Sequence, residues 1–249
     1  MTRLTLYVLL CSLSAWATAT EEPATRVLYI ANMGAMIEQG ETKIVFDPLF
    51  SNHYDTYDSV PADVEAAILA GDPPWDGLDA VFISHHHGDH FDPAMILELL
   101  RSRPAMQMFG PEQAAAAIRS LVTDPELAVL ERVHGLSLEN GMAATDIVLG
   151  PLLVEAVRIR HSGWPNRHAG IENIVFRVTL DSDTTVMHFG DADVDDTHFA
   201  ISPEHWTERH SHLAMPPYWF FLSNEGRQIL QDRVGADKVI GMHVPTKVP

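Results

Sequence analysis

Ser84-His85-His86-His87-Gly88-Asp89-His90 is the stretch on which the reading of this chain turns. The apolar run Ala80-Val81-Phe82-Ile83 stands before it, and Asp92-Pro93 opens a helix just after it. A buried strand therefore feeds a histidine-rich loop that leads into a helix. In extended chain, side chains two apart share a face, so His85 and His87 converge on one ion. Gly88 lets the backbone turn and brings Asp89 and His90 round to a second. His86, between two converging residues, points away. With 14 histidines among 249 residues, an accidental match to this spacing somewhere in the chain has a chance of roughly one in a few hundred.

Upstream, residues 27–30, 35–38 and 43–46 are short apolar or β-branched runs separated by Asn32-Met33-Gly34 and Gln39-Gly40, the pattern of a β-meander. A helix is expected over 61–70, stopped by Gly71. Downstream, Asp92 caps a helix over 94–101 with Pro93 at its first position, and a second helix is expected over 111–122. Strands are expected at 147–149, 153–160, 174–180 and 184–189, the last two joined by Asp181-Ser182-Asp183. A helix over 225–234 and a strand over 238–240 close the chain. Two blocks of strands, each followed by helices, predict two sheets face to face with helices outside.

The motif H-x-H-x-D-H at a strand end resembles the signature of the metallo-β-lactamase superfamily. That resemblance implies an α/β fold, the four-layer αβ/βα sandwich of the metallo-β-lactamase type, over nearly the whole chain from Val27 to Pro245. It also implies three later ligands at strand ends, for which His161, Asp191 and His243 are the candidates. On that pattern His85, His87 and His161 bind a first metal, Asp89, His90 and His243 a second, and Asp191 bridges. Such nitrogen and oxygen donors suit Zn2+ and also accept Mn2+ or Fe2+. The segments 29–34, Val45-Phe46-Asp47-Pro48 and Met187-His188-Phe189-Gly190-Asp191 resemble the branch of L-ascorbate-6-phosphate lactonases and N-acylphosphatidylethanolamine phospholipase D. Dinuclear β-lactamases generally lack a bridging Asp and many use a Cys, so β-lactamase activity itself is disfavoured.

The implied chemistry is hydrolysis. Two divalent ions lower the pKa of a shared water, supply hydroxide and polarise the bond to be cut, while Asp89 orients the water and passes its proton on. Asp47 is a candidate to hold a ligand imidazole. His188 is expected as a buried hydrogen-bonded residue rather than a ligand, and His210 and His212, without a carboxylate partner in the sequence nearby, as solvated. Trp164, Asn166, Arg167 and His168 are expected in a polar surface loop with the alternative of shaping the substrate mouth. Phe50, His53, Tyr54 and Tyr57 form an aromatic-rich loop near the site.

A net charge of −18 makes contact with nucleic-acid phosphates costly, so a small-molecule substrate is expected and no nucleic acid. Arg3, the apolar stretch 4–13 and Ala17-Thr18-Ala19 read as a signal peptide over 1–19, leaving one domain over 20–249 that is exported to the periplasm or secreted. Cleavage there removes the single cysteine, Cys11, which leaves His and carboxylates to hold any metal. Two rivals stand beside the small ester, lactone or phosphodiester hydrolase. One is a phospholipase-like phosphodiesterase at the membrane, prompted by Pro216-Pro217-Tyr218-Trp219-Phe220-Phe221-Leu222. The other is a metal-binding module without catalysis.

Overall fold

The computed structural model describes residues 24–143, 146–181 and 184–247. The expected signal peptide, and Ser182 and Asp183 of the expected turn, lie outside the described residues. Among the described residues, no helix is long and apolar enough to cross a membrane.

Strands β1 (Arg26–Ala31), β2 (Gly34–Gln39) and β3 (Thr42–Phe46) pair antiparallel, as their short turns require. Helix α1 (Ala62–Ala70) then crosses to β4 (Ala80–Phe82), α2 (Pro93–Ser102) to β5 (Gln107–Pro111), and α3 (Glu112–Arg119) towards β6 (Val133–Leu136). These crossovers make β3 to β6 parallel, in the sheet order β1-β2-β3-β4-β5-β6. The second sheet comprises β7 (Ile147–Leu149), β8 (Leu152–Arg158), β9 (Ile174–Leu180), β10 (Thr184–His188), β11 (Leu213–Met215) and β12 (Lys238–Val239). It is antiparallel from β7 to β10 and parallel from β10 to β12. Helices α4 (Asp196–Phe199), α5 (Pro203–Thr207) and α6 (Asn224–Gln228) cover it, the last running on into a π-helical turn over Ile229–Val234.

The period of two along each strand sorts side chains into layers. Ile44, Phe46, Ala80, Phe82 and Phe109 face inward and meet Val154, Ala156, Phe176, Val178 and Met215 of the other sheet. Their neighbours Val45, Val81 and Met108 face outward onto Ile68, Ile96, Leu100 and Ile118 of the helices. Val175, Met187 and Ala214 likewise meet Phe199, Trp206, Phe220 and Ile229. The result is the four-layer αβ/βα sandwich that the sequence led us to expect. Phe82 touches both sides of the inner layer, stacking on Phe46 and Phe109 and edge-on to Phe176 at 5.2 Å; truncating such a ring to alanine costs about 3–5 kcal/mol.

Several element boundaries differ from expectation. Gln107–Pro111 is a parallel strand that was not expected, so the helix expected from 111 begins after it and ends at Arg119. Val133–Leu136 and Leu213–Met215 were not expected as strands; both are short and take their hydrogen bonds from parallel neighbours distant in sequence. Strand β8 ends at Arg158, not 160, and the expected helix over 225–234 is helical for one turn before the π turn. The cap at Asp92 is as expected: its carboxylate accepts from the backbone N–H of Ala94 at 2.9 Å and of Met95 at 3.2 Å.

Candidate metal centre

The strand ends β4, β8, β10 and β12 lie at one edge of the sandwich, so the loops that follow them deliver seven side chains to one place. The donor atoms form overlapping groups, with His85 close to Asp89 and His90 as well as to His87 and His161, and two clusters can be told apart among them. In the first, His161 Nε2 lies 3.1 Å from His87 Nδ1, beside His85. In the second, His243 Nε2 lies 3.1 Å from His90 Nε2 and 3.3 Å from Asp89 Oδ2. Asp191 stands between them. Its Oδ2 is 3.4 Å from His161 Nε2 and 4.0 Å from His85 Nε2; its Oδ1 is 3.2 Å from His243 Nε2 and 3.3 Å from His90 Nε2. Four donors held about 2.0–2.1 Å from a tetrahedral ion sit about 3.3 Å from one another, which is the spacing found here.

The imidazole tautomers agree with this use. Asp47 Oδ2 accepts from His90 Nδ1 at 2.9 Å, and the Ser162 carbonyl accepts from His161 Nδ1 at 2.8 Å. The Ser84 hydroxyl donates to Asp47 Oδ2 at 2.6 Å and so is left to accept from His85 Nδ1 at 3.1 Å. In all three rings the proton is held on Nδ1 and the Nε2 lone pair faces the centre. His85 Nε2 and Asp191 Oδ1 are buried without a hydrogen-bond partner, a costly state for two polar atoms unless a cation satisfies them.

Electrostatics point the same way. Burial would raise the Asp191 carboxyl, but His243, His90 and His161 hold it well below the usual range. Burial, with His90 beside it, pushes His85 far down, and burial with His161 brings His87 to about 4, so both rings stay neutral donors. Burial would lower His90 too, yet Asp191 and Asp47 raise it well above its ordinary value. The field at His90 thus favours a cation.

Local backbone explains why these residues and not their neighbours reach the centre. Gly190, at φ +52°, turns the chain after β10, and a Cβ there would overlap Asn173 Oδ1 and Ser84. Asn173 accepts the Asp191 N–H at 2.8 Å and donates to the Phe189 carbonyl at 3.1 Å, which fixes that turn. His188 uses both ring nitrogens on backbone, Met33 O at 2.9 Å and Gly190 N at 3.3 Å, and is a buried structural residue as expected. His86 joins neither group. Asp47, at φ +40°, also accepts the Ser84 N–H at 2.7 Å. Asn32 was not singled out as a site residue: its Nδ2 donates to the Asp89 carbonyl at 2.9 Å, and its own carbonyl accepts from His243 N at 3.2 Å.

The centre opens into a cleft of about 390 Å³ lined also by Tyr54, Tyr57, Ser162, Arg167, His168 and Trp219. Tyr57 sets its ring edge on His243 at 4.0 Å. Of the aromatic loop, Phe50 lies in the core instead. Of the second loop, Arg167 and His168 shape the mouth, which goes beyond the surface role expected, while Trp164 packs edge-on against His198 at 5.5 Å. Phe220 is core, Trp219 reaches the cleft, and Leu222 is exposed.

Among the described residues, two other groups of donors are spent elsewhere. His210, expected to be solvated without a carboxylate, lies 3.0 Å from Asp237 because β12 runs beside β11. His212 Nδ1 accepts the Thr185 N–H at 3.0 Å, so its proton is on Nε2 and neither nitrogen is free for a metal. Glu155 is held by Arg177 and Arg209, each at 2.9 Å, beside His205.

Residues 42–243 match the family model described as a beta-lactamase superfamily domain. The structure is similar to Igni18, a metallo hydrolase from Ignicoccus hospitalis, with 16% identity, TM-score 0.59 and coverage of 88% of this chain and 82% of that one. It is similar to the isothiocyanate hydrolase from Delia radicum gut bacteria, with 14% identity, TM-score 0.57 and coverage of 88% and 84%. The metallo-beta-lactamase fold protein YhfI from Bacillus subtilis aligns with 17% identity, TM-score 0.55 and coverage of 88% and 80%. No curated protein gives a match to the sequence.

Proposed function

This chain belongs to the beta-lactamase superfamily and is a metallo-hydrolase of that fold, and we propose that it cleaves a small ester, lactone or phosphodiester with two divalent ions, Zn2+ as the first choice. The observation that carries this reading is the division of Asp191, one oxygen turned to His85 and His161 and the other to His90 and His243. His85, His87 and His161 would hold one ion, Asp89, His90 and His243 the other, with Asp191 shared between them. Bound there, such ions activate water near neutral pH and polarise the oxygen of the bond to be broken.

The chain's own residues do the rest. Asp89 lines the cleft and keeps its carboxyl ionised: burial raises its pKa, but the hydrogen bond with His243 and the nearby His90 outweigh it. That carboxylate orients the attacking water, takes its proton and hands it to the leaving group. Asn32 fixes Asp89 from behind. Tyr54, Tyr57 and Trp219 wall the cleft and limit bulk water around the reacting bond. The basis for export is the sequence of residues 1–19 alone.

The test is a panel of 4-nitrophenyl acetate, δ-valerolactone and bis(4-nitrophenyl) phosphate, offered to the protein loaded with Zn2+, Mn2+ or Fe2+. Turnover of at least one, lost in Asp191→Ala, supports the reading; turnover of none with any metal contradicts it. The membrane-associated phosphodiesterase is a second reading, favoured by Phe221 and Leu222, 38% and 72% exposed at the end of an apolar run. Failure of the protein to pellet with phosphatidylethanolamine liposomes removes it.

A further inference from the structure

The segment that follows His161 is built rather than loose. Arg167 N–H donates to the Gly163 carbonyl at 2.8 Å and Ile171 N–H to the His168 carbonyl at 3.0 Å, closing two successive turns. Gln113, on α3, clasps the far end: its Nε2 donates to the Gly170 carbonyl at 2.7 Å and its Oε1 accepts from Glu172 N at 2.9 Å. The near end is held by Trp164, whose indole lies under the Arg160 guanidinium at 4.1 Å. His168 rests on His161 with ring centroids 4.6 Å apart. A loop tied at both ends presents Arg167 to the cleft beside the donor atoms, together with His168 packed on His161.

Other arginines are engaged: Arg103, Arg132 and Arg227 on backbone carbonyls, Arg160 on Trp164, and several more on carboxylates. Asp and Glu number 34 against 16 Lys and Arg, so a cation finds a carboxylate easily. Arg26, Arg158, Arg177 and Arg233 each stand within 4.0 Å of one. The Arg167 guanidinium has neither an ion pair nor a side-chain hydrogen bond among the described residues, although it shares a cleft with Asp89 and Asp191. Both carboxylates are turned to the imidazoles. A planar fork of donors left open at the mouth of a site matches two coplanar anionic oxygens, whereas a neutral substrate leaves it only water.

Resting on the hydrolase reading above, we infer that the substrate is an anion, a carboxylate-bearing ester or a phosphodiester, whose charged oxygens are received by Arg167. Neutral esters and lactones are then poor substrates. The guanidinium supplies binding and orientation. It takes no part in the proton transfers, which remain with Asp89.

The test compares 4-nitrophenyl hydrogen glutarate with its neutral methyl ester, and bis(4-nitrophenyl) phosphate with 4-nitrophenyl acetate, using zinc-loaded wild type, Arg167→Gln and Arg167→Lys. Wild type is expected to prefer the charged member of at least one pair. In Arg167→Gln the ratio of kcat/KM for charged over neutral falls about tenfold, through KM, and Arg167→Lys recovers part of it. A fall confined to the glutarate pair assigns the anion to a carboxylate away from the reacting bond; one confined to the diester assigns it to the phosphoryl group. An equal ratio in wild type and Arg167→Gln overturns the inference while leaving the hydrolase intact. If none of the four is hydrolysed, the hydrolase reading is the one that fails, and calorimetry with inorganic phosphate decides this one. Binding weakened about tenfold by Arg167→Gln supports the anion site, and equal binding by the two proteins overturns it.

Discussion

Asp47 Oδ2 lies 2.9 Å from His90 Nδ1 with both side chains fully buried, so a carboxylate from the end of β3 sets the ring of a residue in the loop after β4. The contact keeps His90 Nε2 turned to Asp191 and His243. In Asp47→Asn the left-handed backbone at this position is tolerated, because asparagine adopts positive φ readily. The charge that raises the basicity of His90 is lost. We expect affinity for the ion at the Asp89, His90 and His243 group to fall about tenfold or more, with the His85, His87 and His161 group much less affected. Competitive titration with a chromophoric zinc chelator measures both steps; equal loss at both, or at neither, contradicts this role for Asp47.

Gly190→Ala tests how the fold places Asp191. Left-handed φ at a non-glycine residue costs about 1 kcal/mol, and the new Cβ runs into Asn173 and Ser84. A total loss beyond about 2 kcal/mol is expected, together with weaker metal retention, since Asn173 can no longer hold the Asp191 N–H. Unchanged chemical denaturation and unchanged metal content would show that the close approach at Gly190 is relieved without cost.

His205, away from the centre, makes its own contribution to the pH dependence of the stability. Burial, with Arg177 nearby, lowers its pKa from 6.5 to about 4. As pH falls below 6.5 the unfolded chain takes up the proton before the folded one, so the contribution of His205 to stability is full above that value and drains away down to about 4. The loss amounts to at most about 3 kcal/mol. His205→Gln removes this component, so in urea unfolding between pH 7.5 and 4 the stability of wild type relative to the variant should fall as the pH is lowered. Curves that stay parallel would mean that His205 does not titrate in this way.

The seven side chains that gather at the centre were legible in the sequence because each follows a strand end and the spacing in residues 84–90 is tight. The three strands β5, β6 and β11 were not legible, because they are short and their partners are distant in sequence. The same reason hid the pairing of His210 with Asp237, which exists only because β12 lies parallel to β11. Asp47 was readable as a candidate from its place before Pro48; Asn32 was not, since a turn-forming Asn and one that props a ligand look alike in sequence. The mouth was least legible. Whether Arg167 faces water or the cleft depends on Gln113, which lies 54 residues before it and clasps its loop.

If Asp191 joins two metal-binding groups, elemental analysis of purified wild type, Asp191→Ala and His243→Ala will register it in the number of ions bound. Close to two ions per chain are expected in wild type, about one in His243→Ala, and in Asp191→Ala a loss that extends to both groups. One ion or none in wild type, with neither substitution changing the content, would contradict it.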